Sequence, residues 1–230
     1  MTAPEVELRA AWHQLAGRTH EQLLERVLAR HREPHRRYHT ATHVMWVLRH
    51  VHDLAAAGPA PTDLAALQLA ALYHDAVYDA RSSDNEARSA ALAVATAAEL
   101  GWSAPRRSLV QRLILATAGH AAADDDEAML VDADLAILGA DPNDYAAYER
   151  GVRAEYSHVT DEGWRAGRSA VLHALLAMPQ IYSTELMHDS RETRARANMT
   201  AELAELAGPA TTPTTTPTNT PTPTPTPTPT

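Results

Sequence analysis

The stretch Leu64-Ala65-Ala66-Leu67-Gln68-Leu69-Ala70-Ala71-Leu72-Tyr73-His74-Asp75 decides the fold of this chain. It is mostly alanine and leucine, contains no β-branched residue, and repeats its bulky apolar side chains at helical spacing. Those are the marks of a packed helix rather than a strand. Thr62 reads as the N-cap, and the apolar pattern continues to Val77, so the helix is expected to run past Asp75. On such a helix Asp79 lies one turn beyond Asp75, on the same face. The adjacent His74 and Asp75 need an explanation, because burying neighbouring ionisable groups is costly unless they are paired or hold a cation.

The rest of the composition agrees with packed helices. Hydrophobic residues make up 45% of the 230, much of that alanine, and there is no Phe. The expected class is all-α, a single bundle of about ten helices over residues 1 to 208. From Pro209 onward the chain is Thr and Pro apart from Ala210 and Asn219, which predicts a disordered tail over 209 to 230. The absence of Cys excludes thiolate metal sites, disulfides and cysteine nucleophiles, so a metal would have to be held by nitrogen and oxygen. A formal charge of −9 argues against a nucleic-acid partner. With no secretory leader and no long apolar run, no membrane contact is expected and the expected location is cytoplasmic.

Helix boundaries follow from caps. A first helix is expected over Glu5 to Ala16, and Thr19-His20-Glu21-Gln22 reads as a capping box opening a second that ends near Arg30. A third covers about Thr40 to Ala57, with Val44, Val47, Leu48, Val51 and Leu54 as its apolar stripe and Gly58-Pro59 as its stop. Ser83-Asp84-Asn85-Glu86 reads as another box, opening a helix to Leu100, and Ser103 caps the next. Asp124 to Glu127 suits a helix N-terminus, and Asp141-Pro142 starts a helix to about Tyr156. Two more are expected over about Asp161 to Ala177 and Ser183 to Leu206.

On the third helix, His39, His43 and His50 share one line, so periodicity alone leaves each a candidate ligand. Asp132 and Asp134 lie on a later apolar helix, about 200° apart around it. Asp134 has Leu130, Val131, Ile137 and Leu138 three and four residues away and is expected to face the core. Arg30 to Arg37 is the most basic segment of an acidic chain and leads directly into Tyr38-His39, beside the candidate site.

Taken in order, a helical His, an adjacent His-Asp pair and a later Asp resemble the HD superfamily of metal-dependent phosphohydrolases. The stretches that carry the resemblance are Arg37 to His43, Tyr73 to Asp79, Asp84-Asn85-Glu86 with Ser89-Ala90, Asp132 to Gly139, Arg153 to Tyr156 and Ala195 to Asn198. The chain departs at Thr40, where the family pattern has Asn.

The resemblance implies His43, His74, Asp75 and Asp134 as ligands of a divalent transition-type ion (Mn, Fe, Co, Ni or Zn), with Asp132 supporting them from behind. It implies Asp79 as the residue that handles the attacking water. His120 and Glu86 are further catalytic candidates, while Arg36, Arg37 and His39 are candidates for the substrate phosphate. The expected activity is hydrolysis of a phosphate ester or anhydride in a small molecule, a nucleotide above all. Two alternatives stand beside it: a nucleotide-sensing module without catalysis, and a di-iron oxygenase of the same fold. The second requires additional histidines between the His-Asp pair and the final Asp, an interval that holds only His120.

Overall fold

The computed structural model describes residues 2–208. They form ten α-helices: α1 (Ala3–Ala16), α2 (Glu21–His31), α3 (Ala41–Ala57), α4 (Leu64–Tyr73), α5 (Asn85–Glu99), α6 (Ala104–Thr117), α7 (Asp125–Leu135), α8 (Pro142–Glu155), α9 (Asp161–Ala177) and α10 (Glu185–Leu206). There is no strand among the described residues. The tail expected to be disordered, 209 to 230, lies outside them.

The alanine- and leucine-rich α4 is apolar on all sides, and a helix of that kind has to be enclosed. Leu67, Leu69, Ala70, Ala71 and Leu72 are buried, and α1, α3, α5, α6 and α7 pack around them. Ala66, Ala70, Ala90, Ala93 and Ala97 are also buried, where small side chains let helices approach closely. The stripe Val44, Val47, Leu48, Val51 and Leu54 turns α3 onto this core. A second group forms beside it: α10 packs on α9 and on the 3-10 turn Ala136–Gly139 that ends α7, and α8 packs on the same turn.

Most helices start and stop within two residues of the positions their caps predict. The first begins slightly earlier, because Glu5 accepts from the Thr2 N–H and completes a capping box there. Two predicted boxes do not form. A 3-10 turn, Arg18–His20, precedes α2, with His20 at its N-cap, and α5 is capped by Asp84, not Ser83. Glu86 therefore sits one position earlier in its helix than a box requires.

The largest departure concerns α4. Asp63, not Thr62, is its N-cap, with the carboxylate accepting from Ala66 N–H at 3.0 Å. The helix then stops at Tyr73 and does not run on to Asp79. Beyond it the backbone finds partners elsewhere. Val77 N–H donates to Ser89 Oγ at 2.9 Å, and the carbonyls of Asp75 and Ala76 accept from Arg36 at 2.8 and 3.1 Å. Side chains from distant positions thus supply what the next helical turn would have supplied.

Candidate metal centre

Three segments deliver four donors to one point. His43 comes from the first turn of α3, His74 and Asp75 from the end of α4, and Asp134 from the last turn of α7. One donor atom of each lies within 4.8 Å of all the others. His43 Nε2 is 3.1 Å from His74 Nε2, 3.3 Å from Asp75 Oδ2 and 3.1 Å from Asp134 Oδ1. His74 Nε2 is 3.1 Å from Asp75 Oδ2 and 3.4 Å from Asp134 Oδ1.

These separations fit a shared cation. Donors about 2.1 Å from one ion lie about 3.0 Å apart at octahedral and about 3.4 Å at tetrahedral angles. His74 Nδ1 donates to the Ala71 carbonyl at 2.9 Å, which fixes the tautomer and leaves the Nε2 lone pair facing the cluster. Burial works against charge on both imidazoles, yet Asp134 and Asp75 raise the pKa of His43 and take that of His74 well above its ordinary value. Burial likewise opposes ionisation of Asp75 and Asp134, but the histidines hold both well below the usual carboxylate range. Two carboxylates and two imidazoles thus gather where positive charge is strongly favoured. The group could hold a metal ion through nitrogen and oxygen alone.

His39 stands beside the cluster. It precedes α3, its Nε2 lies 4.0 Å from Asp75 Oδ2, and its ring stacks on Tyr78 at 4.0 Å. Its Nδ1 meets Glu155 Oε2 at 2.7 Å. Glu155 Oε1 also accepts from the backbone N–H groups of Arg37, Tyr38 and His39, at 2.7, 2.8 and 3.0 Å. Burial alone would raise the Glu155 pKa, but the His39 contact and these backbone bonds win and bring it down to about 2. A depressed carboxylate stabilises the fold above its unfolded pKa, near 4.5, and that contribution disappears as pH falls toward 2. Glu155→Gln is therefore expected to cost about 3 kcal/mol at pH 7, with the difference from wild type shrinking toward zero near pH 2. Urea unfolding across that range measures it. A pH-independent difference would mean that the carboxylate charge does not hold the 37–39 segment.

Two cavities meet at the centre, and Asp134, Tyr38, Tyr148 and Ile137 line both. The Tyr38 and Tyr148 rings stand edge to face at 4.8 Å, and Tyr38 also packs on His43 at 4.9 Å. The smaller cavity, about 490 Å³, lies along the His43, Trp46 and His50 face of α3 and also takes in Arg37, Arg191 and Arg194. The larger, about 670 Å³, has His39, Asp75, Glu86 and His120 among its lining residues. His120 has a left-handed backbone, φ 48°, uncommon for a residue with a side chain and found here at the cavity wall.

Other expected site residues lie elsewhere. Arg36 lines neither cavity. Its side chain is fully buried, and it donates to Glu33 and to the carbonyls of His39, Asp75 and Ala76. The expectation of a phosphate contact gives way to a clamp on the segment carrying Asp75, because its donors are already engaged. Asp79 is exposed and lines neither cavity. Its backbone exchanges hydrogen bonds with the Asn85 side chain, and its carboxylate accepts from Arg81 N–H. Placing Asp79 at the water required α4 to continue, which it does not. Asp79→Asn is expected to leave metal content and turnover unchanged and stability within about 0.5 kcal/mol. A large fall in turnover with normal metal content would return it to the site.

Asp132 is wholly buried behind the cluster. It accepts from the Ser183 and Thr184 N–H groups at 3.0 and 2.7 Å and from the Thr184 hydroxyl at 2.6 Å, tying α7 to the start of α10. Glu155, Tyr38 and Tyr148 were not singled out by sequence. Glu155 lies within the resembling Arg153 to Tyr156 stretch, but its partners are more than a hundred residues away. Arg168 and Glu202 form a buried two-bond pair at 2.7 and 2.9 Å, with Tyr145 adding its hydroxyl.

The chain matches no family model, no curated protein and no solved structure in the comparisons made. Among the described residues no helix is long and apolar enough to cross a membrane.

Proposed function

We propose that the protein is a metal-dependent phosphohydrolase of the HD type, acting on a phosphate ester or anhydride of a small molecule, with nucleotides as the first substrates to test. The observation that carries this reading is the convergence of His43, His74, Asp75 and Asp134 on one point, with Asp75 and Asp134 lining the larger cavity. A divalent ion held there would lower the pKa of a bound water and polarise a phosphoryl oxygen. His120 and Glu86, on the wall of the same cavity, are the groups available to move a proton to or from the reacting oxygens. His39, steadied by Glu155 and Tyr78, lines the same cavity and suits a contact to the phosphate. Arg37 lines the smaller cavity and is the remaining arginine of the basic segment with access to the centre.

Purified protein supplied in turn with Mn, Fe, Co, Ni and Zn is expected to release phosphate from at least one nucleotide in a panel of mono-, di- and triphosphates, guanosine polyphosphates and cyclic dinucleotides. Release should stop on chelation. Tight nucleotide binding without turnover, indifferent to metal, would replace this reading with the sensing module. Two irons per chain after anaerobic purification would favour the oxygenase.

A further inference from the structure

Arg168 is enclosed by the fold, 8% exposed, and lines the larger cavity from α9. One edge of its guanidinium is taken, because Nε and Nη2 donate to the two oxygens of Glu202 at 2.7 and 2.9 Å. Tyr145 donates to the same carboxylate at 2.6 Å, so residues of α8, α9 and α10 hold the fork in one orientation. A guanidinium is planar and rigid, and its third nitrogen, Nη1, therefore points away from Glu202. Among the described residues Nη1 has no acceptor, and it is not sealed off from the cavity.

Tyr148 stands beside it. The Arg168 guanidinium carbon lies 5.1 Å from the centroid of the Tyr148 ring, and that ring reaches the border of the two cavities, which it lines together with Asp134. The Tyr148 hydroxyl likewise has no acceptor among the described residues. Burial raises the pKa of this phenol although Arg168 works the other way, so the hydroxyl keeps a proton to donate. Polar atoms of a buried ion pair are normally all satisfied. Tying α9 to α10 accounts for Glu202 and two nitrogens of Arg168, but for neither Nη1 nor the hydroxyl next to it. Both donors belong to a cavity that also takes in Asp75 and Asp134.

We propose that Arg168 Nη1 and the Tyr148 hydroxyl form a donor pair for an oxygen of a bound phosphoryl group, with Glu202 as the residue that positions Arg168. The proposal rests on the phosphohydrolase reading for the identity of the anion. The pair makes hydrogen bonds only and adds no bond-breaking step. Because Glu202 already fixes the guanidinium, negative charge on the phosphoryl oxygen meets donors that need no reorganisation.

The test uses the full chain as purified, titrated calorimetrically with inorganic phosphate, so that anion binding is read apart from turnover. Tyr148→Phe is expected to weaken phosphate binding about tenfold, with metal content unchanged and Tm within about 2 °C of wild type, because the lost hydroxyl has no partner in the chain. Arg168→Met alone would strand the buried Glu202 charge, so it is paired with Glu202→Met, which removes the ion pair as a unit and keeps the fold. That double variant should bind phosphate about 100-fold more weakly and retain the wild-type circular dichroism spectrum. A wild type that does not bind phosphate, or an affinity unchanged in Tyr148→Phe or in the folded double variant, overturns the proposal. If the double variant does not fold, Tyr148→Phe decides alone. If phosphate binding follows these variants but no substrate is hydrolysed, the phosphohydrolase reading fails and the donor pair stands as an anion site. Hydrolysis with kcat and KM unchanged in Tyr148→Phe removes the donor pair alone.

Discussion

Asp134→Ala is expected to reduce bound metal from about one ion per chain to near zero, whereas Asp132→Ala keeps the ion and loses stability. Asp134 places Oδ1 at 3.1 and 3.4 Å from the two imidazole nitrogens, and its removal leaves three donors and one carboxylate to balance the ion's charge. Asp132 contributes no donor. Its loss empties a wholly buried position and takes the acceptor from the partly exposed Ser183 and Thr184 N–H groups and the Thr184 hydroxyl, at a cost of about 1–3 kcal/mol. Metal analysis of the purified variants together with urea unfolding separates the two. Normal metal in Asp134→Ala with loss in Asp132→Ala would reverse the assignment of the helix faces.

Arg36→Ala is expected to be among the most damaging single changes near the site, although Arg36 touches neither cavity. It leaves the carbonyls of His39, Asp75 and Ala76 without their donor and Glu33 without its partner, all around a fully buried position. A stability loss of about 3–5 kcal/mol follows from stranding buried polar groups in this way. Because two of those carbonyls belong to the segment presenting Asp75, metal affinity should fall about 10- to 100-fold. Arg36→Lys should recover only part of both, since an ammonium cannot span three carbonyls as a guanidinium does. Unfolding and metal titration test this directly. A raised KM for a phosphate substrate, with stability and metal affinity unchanged, would restore Arg36 as a substrate contact.

What the sequence made legible was what local chemistry determines. Ten helices followed from composition, caps and apolar spacing, and α9 begins and ends at Asp161 and Ala177, as expected. The grouping of His43, His74, Asp75 and Asp134 came from the order of residue types and from the resemblance, and those four side chains do meet. The end of α4 was not legible, because the groups that stop it, Arg36 and Ser89, act across 39 and 12 residues. Reading Asp79 as a site residue inherited that error. The Asp132 and Asp134 argument picked the carboxylate that joins the cluster, but for a faulty reason: Asp132 is the more deeply buried, and backbone N–H groups meet its need. Glu155 was missed because one carboxylate organising three successive N–H groups leaves no local pattern.

The four donors belong to helices far apart in the chain, so an ion joining His43 to Asp134 closes a loop of about ninety residues and acts as a removable cross-link on the fold. A cation that binds the folded chain and ignores the unfolded one stabilises it by about 4 kcal/mol at a thousand times its Kd. Melting temperature should then rise with free metal concentration, and a chelated sample would differ from a loaded one in how firmly α3, α4 and α7 are held together as well as in reactivity. Inactivity after chelation therefore carries meaning only when measured well below the melting temperature of the metal-free chain.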